Sequence, residues 1–197
     1  MTRVVAFSGS LRRGSYNAAL LRAAEELAPD DMTLVSIEIA ELPFFNADVE
    51  AIGDPPSVVA FKASIREADG VLIATPEYNN GVPAVLTNAM DWGSRLPGSA
   101  PLFGKPVALV GASPSQVGTA RAQLHLRQVL SHMNARTLPP PEFFVALAHQ
   151  RFDADLRLTH EPTREILRTL LVRFNRWMAR EHYAAEMDRS LVEGRRS

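Results

Sequence analysis

The chain has 197 residues, of which 46% are hydrophobic and 22% are charged, and its formal net charge is −1. This length suits one domain with a substantial core and leaves little room for a second. The sequence contains no cysteine, which excludes disulfides, thiolate zinc sites, cysteine-ligated iron–sulfur clusters and a cysteine nucleophile. Any redox chemistry of this protein therefore needs a bound cofactor.

The sequence predicts a cytoplasmic protein that binds neither a membrane nor a nucleic acid. The N-terminus enters a strand-like run at Arg3 without the pattern of a signal peptide, and no segment approaches the length of an apolar membrane span. Residues 1–120 carry eight basic and 13 acidic side chains, whereas residues 121–197 carry 13 basic and nine acidic ones. Because the arginines of the second part are interleaved with acids, they are typical of solvated helix faces rather than of a nucleic-acid surface.

Short apolar runs alternate with longer segments of helical periodicity, which is typical of a doubly wound α/β domain. Strands are predicted at residues 4–7, 34–39, 70–74, 107–111 and 143–147. Helices are predicted at residues 17–27, 57–68, 83–92, 118–133 and 162–187. Pro83 and Pro162 stand where a first helical turn begins, and the missing N–H of proline costs nothing there. We therefore expect one domain over residues 1–187 and a frayed tail over residues 188–197.

The last predicted helix has one apolar face, with the arginines on the opposite face. The apolar side chains are Ile166, Leu167, Leu170, Leu171, Phe174, Trp177 and Met178. We interpret Phe174 and Trp177 as core or interface residues rather than cofactor ligands. The apolar helix over residues 83–92 is expected in the core or at a subunit contact, and for Trp92 at its end the subunit contact is slightly favoured.

The loop after the first strand, S-G-S-L-R-R-G-S-Y-N over residues 8–17, leads directly into a helix. Its glycines permit a tight turn, and its amides and hydroxyls can donate to phosphate oxygens. Gly9 and Gly14 have the spacing of a nucleoside-triphosphate loop, but Ser15 and Tyr16 stand where that motif needs lysine and then serine or threonine. The pattern G-x-G-x-x-G is absent as well. The loop predicts a cradle for a terminal monophosphate, and the alternative is a loop that only turns and caps a helix.

Two further loops of unusual composition follow the third and fourth predicted strands. Residues 74–92 read A-T-P-E-Y-N-N-G-V-P-A-V-L-T-N-A-M-D-W, and residues 111–121 are small and polar. Turn chemistry alone explains much of the first of these loops. In a sheet of order 2-1-3-4-5, however, strands one and three adjoin where the order reverses, and ligands bind at their carboxyl ends. We therefore predict that the three loops form one ligand site.

The motifs G-S-L-R-x-G-S-x-N at residues 9–17 and P-E-Y-N-x-G-x-P-A-x-L-x-N-A-x-D-W at residues 76–92 resemble the NAD(P)H-dependent FMN reductase family. Residues 120–130 also resemble its chromate and quinone reductase branch. The resemblance implies a flavodoxin-like α/β fold with three layers and a five-stranded, doubly wound parallel sheet of order 2-1-3-4-5. It further implies non-covalently bound FMN and a homodimer or homotetramer.

The resemblance also implies which residues bind FMN. The first loop contributes Ser10, Leu11, Arg12, Arg13, Gly14, Ser15, Tyr16 and Asn17, of which Ser10, Arg12, Ser15 and Asn17 hold the phosphate. The second loop contributes Pro76, Glu77, Tyr78, Asn79 and Gly81 to the ribityl chain and the isoalloxazine edge. Ser113 of the third loop approaches the ring, but residues 114–117 replace a glycine-richer family loop, so ring contacts there stay open. Arg12 and Arg13 could contact the phosphates of either FMN or the dinucleotide.

We expect an FMN-dependent oxidoreductase that takes hydride from NAD(P)H and reduces a small-molecule acceptor. The resemblance implies a quinone, a free flavin, an azo compound or chromate as the acceptor, and the cofactor carries the chemistry. No catalytic acid or base is assigned, and the choice between NADH and NADPH is open. No metal site is predicted, because His125 and His132 lack the spacing of a metal motif.

Two other functions are compatible with such a fold. A flavodoxin-type electron carrier would bind FMN without turning over NAD(P)H, but a net charge of −1 argues against an acidic docking surface. A phosphate-handling hydrolase is the second alternative, and the sequence offers it no evident nucleophile or metal ligands.

Overall fold

A computed structural model describes residues 1–95 and 100–194 of the chain, with side chains described as far as residue 187. The strands are β1 (Thr2–Ser8), β2 (Met32–Ser36), β3 (Gly70–Ala74), β4 (Pro106–Val110) and β5 (Arg136–Thr137). The helices are α1 (Tyr16–Leu27), α2 (Ala47–Ile52), α3 (Pro56–Glu67), α4 (Ala84–Gly93), α5 (Ala120–His132) and α6 (Glu161–Gly194). A single turn of 3₁₀ helix spans Ala148–Gln150.

The five strands form one parallel sheet of order β2-β1-β3-β4-β5. Successive side chains of a strand point to opposite faces, so Val4 and Ala6 of β1 join one core while Val5 and Phe7 join the other. The first core lies against α1 and α6, and the second lies against α3, α4 and α5. The predicted three-layer, flavodoxin-like architecture is therefore confirmed.

The prediction that residues 143–147 form the fifth strand is wrong. The strand beside β4 is Arg136–Thr137, and Val145 forms only an isolated bridge with Ala112. Three prolines at residues 139–141 separate the two pairings, and proline has no N–H to donate to a ladder. The apolar run therefore fills the core from a loop, and it supports the loop after β4 rather than extending the sheet.

The boundaries of other elements differ less from the prediction. β2 begins at Met32 and ends at Ser36, so it is displaced toward the N-terminus relative to residues 34–39. Helix α2, which follows β2, has no buried residue and was not predicted. The predicted helices are confirmed with their starts within two residues, but α6 continues to Gly194, beyond the predicted end at residue 187. Residues 195–197 of the predicted tail lie outside the described residues.

Two side chains are not where the sequence placed them. For Trp92 a subunit contact was slightly favoured over the core, but the residue is 0% exposed and its indole N–H donates to the carbonyl oxygen of Pro43 at 2.8 Å. It is a core residue, and no surface of it is available to a second chain. Ile166 was expected on the buried face of the last helix, but it is 58% exposed. Within the described part of the chain, no helix is long and apolar enough to cross a membrane.

Candidate functional site

The loops after β1, β3 and β4 surround a cavity of about 340 Å³ at the carboxyl edge of the sheet. The predicted site residues that line this cavity are Ser10, Arg12, Ser15, Tyr16, Asn17, Pro76, Glu77, Tyr78 and Ser113. Ala112 and Pro114 also line it and were not predicted, although both flank Ser113 in the sequence. Leu11 and Arg13 instead face a neighbouring cavity, and Gly14, Asn79 and Gly81 do not line the first one. We call the first cavity the switch-point cavity, because β1 and β3 meet there.

The first loop presents unpaired backbone donors at the start of α1. Ser15 is the N-cap, and its Oγ accepts from the Ala18 amide at 3.2 Å. The amides of Tyr16 and Asn17 belong to the first helical turn, where no earlier carbonyl can accept them. Among the described residues, the amides of residues 11–14 have no acceptor either. With the positive end of the helix dipole, these donors suit an anion.

Close packing brings the first loop against the second. A β-carbon on Gly9 would lie 3.1 Å from Cδ of Pro76 and 3.1 Å from Cδ2 of Leu86. Only glycine fits this approach without displacing its neighbours. The Ser10 and Tyr78 hydroxyl oxygens lie 3.4 Å apart across the same junction. The glycine at position 9 therefore brings the two loops close enough to form one site.

The side chain of Asn17 joins the first loop to the third. Its Nδ2 donates to the Ala112 carbonyl oxygen at 3.0 Å, and its Oδ1 accepts from the Ala112 amide at 2.9 Å. Asn17 is 3% exposed. Both ends of its amide group are thus committed to the backbone, so the side chain positions a loop and leaves mainly its own backbone N–H for a ligand.

The second loop contains a two-residue hairpin. The Tyr78 amide donates to the Gly81 carbonyl oxygen at 3.2 Å, and the Gly81 amide returns a bond to Tyr78 at 2.9 Å. Asn79 and Asn80 have φ values of 51° and 61°, as a type I′ turn requires, and asparagine tolerates this left-handed region better than most residues. Asn79 and Gly81 therefore shape the turn that presents Tyr78, and Tyr78 is itself half exposed.

The Glu77 carboxylate is hydrogen-bonded to the start of a helix and is not free to contact a ligand. Its Oε2 accepts from the backbone amides of Arg121 and Ala122 at 2.9 and 3.0 Å, at the start of α5. The Arg121 guanidinium lies 3.6 Å from its other oxygen and donates to Oδ1 of Asn80 at 2.9 Å. The carboxylate caps the α5 dipole, and Arg121, which was not predicted, ties the hairpin to the same helix.

The third loop is held in place by the loop that follows β5. The Ser113 amide donates to the Val145 carbonyl oxygen at 3.0 Å, and the Ser113 hydroxyl donates to Oγ of Ser115 at 3.1 Å. A β-carbon on Gly111 would lie only 2.0 Å from Oγ1 of Thr119. Ser113 therefore meets the cavity in a fixed position.

His125 and His132 lie outside the switch-point cavity. They line a groove between α4 and α5 together with Asp91, and burial raises the pKa of Asp91 above its ordinary value. Among the described residues, no group of three His, Asp or Glu side chains is placed to share a metal ion.

The donor set of the switch-point cavity has two distinct ends. The end at the first loop contains helix amides, the Ser10 hydroxyl and the Arg12 guanidinium. The guanidinium lies 5.9 Å from the centre of the Tyr16 ring. The other end is formed by Pro76, the Tyr78 ring and the third loop, which its hydrogen bonds hold in place. The chemistry fits a ligand with a phosphate at one end and a flat ring at the other, which is the chemistry of FMN.

Comparison with known proteins defines the family. The sequence model of the NADPH-dependent FMN reductase family matches residues 2–150. An NAD(P)H-dependent FMN reductase of Pseudomonas aeruginosa is 45% identical over 178 residues, which cover 90% of this chain and 96% of that protein. A 2-hydroxy-1,4-benzoquinone reductase of a Burkholderia species is 40% identical over 177 residues, covering 89% of this chain and 96% of the relative.

A solved structure supports the same relationship. The flavoenzyme NAD(P)H:(acceptor) oxidoreductase FerB of Paracoccus denitrificans superposes with a TM-score of 0.84 at 33% identity, over 92% of this chain and 99% of that one. The chain belongs to the NADPH-dependent FMN reductase family. It is accordingly an FMN-dependent oxidoreductase that uses NAD(P)H, as the motifs predicted, and the electron-carrier alternative is not supported.

Proposed function

We propose that the switch-point cavity binds FMN with its phosphate against the first loop. The convergence of unpaired α1 amides on a cavity at the β1–β3 junction carries this proposal. The amides of Tyr16 and Asn17 and the hydroxyl of Ser10 would donate to phosphate oxygens, and the Arg12 guanidinium would balance the charge. The hydroxyl of Ser15, whose oxygen already accepts from Ala18, keeps its own proton to donate.

The ring of the cofactor would lie at the other end of the cavity. Pro76, Tyr78 and the segment from Ala112 to Pro114 offer flat or rigid surfaces there. The Asn17 bridge and the Glu77 cap fix the loops that carry these surfaces, so the site is largely preformed. Preorganisation lowers the cost of binding because few side chains must be ordered.

When bound, FMN would accept a hydride from NAD(P)H and deliver two electrons to an acceptor. The protein's contribution is to bind and orient the reactants. The Glu77 carboxylate is occupied by two amides of α5 and faces Arg121, so it is not free to act as a base. We therefore assign the lining residues to binding and positioning and none of them to proton transfer.

A quinone is the acceptor that we propose. The Burkholderia relative is named for reduction of 2-hydroxy-1,4-benzoquinone, and the half-exposed Tyr78 ring at the cavity offers a surface on which a planar quinone can stack. Free flavins, azo compounds and chromate are tested in the same assay as competing acceptors.

The proposal is tested with FMN-loaded protein in steady-state NAD(P)H oxidation. We expect turnover with 1,4-benzoquinone, and the absence of NAD(P)H oxidation with every acceptor class would contradict the function. Arg12→Ala should weaken FMN binding roughly 10- to 100-fold in a fluorescence titration, since one charge-assisted hydrogen bond contributes about 1.5–3 kcal/mol. The matched control is Arg176→Ala on the exposed face of α6, which should bind FMN as the wild type does.

We also propose a cytoplasmic homodimer or homotetramer. Helix α2 has no buried residue, and Phe44 before the helix and Ile52 at its end are 80% and 92% exposed. A six-residue helix has little stability without packing, so a second copy is expected to cover this surface. Sedimentation should give an assembly for the wild type and a lower mass for Ile52→Lys, and a monomeric wild type would contradict the proposal.

Cell fractionation tests the location, which we infer from the use of NAD(P)H.

A further inference from the structure

A second cavity adjoins the switch-point cavity on the other side of the first loop. Its volume is about 380 Å³, and it lies between the first loop, one face of α1 and the end of β2. Ser10 and Arg12 line both cavities, so the two are separated only by the loop itself. A volume of this size is within the range of roughly 300–1,000 Å³ that small-molecule pockets have. We call it the β2 cavity.

The charges of the β2 cavity favour an anion. Three arginines, Arg12, Arg13 and Arg22, line it, and none of them makes a salt bridge within the described residues. Of its two carboxylates, that of Glu25 accepts a hydrogen bond from the Ser36 hydroxyl. Glu38 is exposed on the segment that follows β2. Three arginines therefore face two carboxylates, which leaves an excess of positive charge in the cavity.

Arg22 is held toward this cavity by the periodicity of α1. Ala18, Leu21, Arg22 and Glu25 all line the cavity, because residues three and four apart share one face of a helix. The planar guanidinium of arginine can bind a phosphate through two parallel hydrogen bonds. Leu11 and Ile37 add apolar surface to the same cavity, which suits a flat base.

We propose that the β2 cavity binds the adenosine end of NADPH and that Arg22 and Arg13 bind its ribose 2′-phosphate. The proposal rests on the function proposed above and assigns its reductant. In dinucleotide-binding folds, an acidic residue that follows the β-α unit binds the ribose 2′-hydroxyl of NAD, and a nearby arginine accommodates the 2′-phosphate of NADP. Here three arginines line the cavity with two carboxylates, so NADPH is preferred over NADH.

The shared wall explains how one dinucleotide serves both cavities. Ser10 and Arg12 form the common wall of the two cavities, and a dinucleotide whose adenosine lies between Leu11 and Ile37 passes over this wall toward the switch-point cavity. Arg12 then faces both the FMN phosphate and the dinucleotide. Glu38 limits the preference, because its carboxylate can accept a hydrogen bond from the 2′-hydroxyl of NADH and repels a phosphate. Neutralising Glu38 should therefore increase the selectivity for NADPH.

The first experiment measures binding without turnover. The FMN-loaded protein is titrated calorimetrically with 2′,5′-ADP, 5′-AMP and inorganic phosphate as separate probes. We expect 2′,5′-ADP to bind at least tenfold more tightly than 5′-AMP. Arg22→Ala should weaken the binding of 2′,5′-ADP roughly 10- to 100-fold and so remove this difference. Arg22→Lys should recover part of it, and Arg176→Ala is the matched control that changes nothing.

The second experiment measures the ratio of kcat/KM for NADPH to that for NADH. The ratio should fall for Arg22→Ala through a higher KM for NADPH, and it should rise for Glu38→Gln. Equal binding of 2′,5′-ADP and 5′-AMP by the wild type would overturn the proposal. Inorganic phosphate binding as tightly as 2′,5′-ADP would also overturn it, since the site would then recognise an anion without a nucleoside. Tight, Arg22-dependent binding of 2′,5′-ADP by a protein that oxidises no NAD(P)H would uphold this inference while refuting the proposed function.

Discussion

The Asn17 side chain offers the sharpest test of how this site is built. The change Asn17→Ala deletes two buried hydrogen bonds, of 3.0 and 2.9 Å, and leaves the amide and the carbonyl of Ala112 without partners. Ala112 is itself buried, and each unsatisfied buried group costs about 1–3 kcal/mol. We therefore expect the free energy of unfolding to fall by about 2–6 kcal/mol. FMN affinity should fall with it, because the third loop is released.

Urea denaturation measures this change directly. With an m-value of about 2 kcal/mol/M, the midpoint should move down by about 1–3 M. Asn175→Ala is the matched control, since its side chain makes one exposed hydrogen bond of 2.8 Å to Asp31 and its loss should cost less than about 0.5 kcal/mol. An Asn17→Ala protein with the wild-type midpoint and weakened FMN binding would refute the reasoning. Asn17 would then be a direct phosphate ligand, as the family resemblance implied.

Two glycines and one ion pair give further predictions. Gly111→Ala should lower stability by about 3 kcal/mol or more in urea denaturation, since its β-carbon would lie 2.0 Å from Oγ1 of Thr119. Gly14→Ala should leave stability unchanged or raise it by up to about 1 kcal/mol, because a β-carbon there meets nothing within 4 Å; equal losses in the two variants would contradict this steric argument. The Arg95 hydrogen bond holds the pKa of Glu50 below its ordinary value, so the pair stabilises the fold at neutral pH and this stabilisation is lost as the pH falls through the lowered pKa. Glu50→Gln should therefore be less stable than the wild type at pH 7 and approach it in acid, and a gap that stays constant with pH would be evidence against the pair.

The sequence was sufficient for the parts of the fold that depend on short-range patterns. The strands β1, β3 and β4 contain continuous apolar runs, and the first loop combines glycines, hydroxyls and a helix start within ten residues. The fifth strand was misplaced because apolar composition alone cannot distinguish a strand from a loop that fills the core. At residues 143–147 the prolines just before the run decide the outcome, since they interrupt the pairing along β4.

The roles of individual site residues depended on contacts between distant parts of the chain. The Glu77 carboxylate accepts hydrogen bonds from amides 44 and 45 positions away, and the Asn17 side chain is hydrogen-bonded to a residue 95 positions away. The motif that contains Glu77 predicted that this residue belongs to the site, and the residue lines the switch-point cavity, but no local pattern reveals what its side chain binds.

By itself, the sequence determined the α/β class of the fold and the three loops that line one cavity. These features follow from periodicity and from turn and helix-start chemistry, which are properties of neighbouring residues. The order of the strands and the cofactor were implied by the resemblance of two motifs to the FMN reductase family. Only the tertiary structure decided which polar groups of those loops are already bonded to the protein and which are free to bind a ligand. It also brought Arg22 of α1 and Glu38 beyond β2 to a common cavity. A hydrogen bond or a cavity depends on distances of a few ångströms between residues that the sequence separates by tens of positions, so it exists only once the chain has packed.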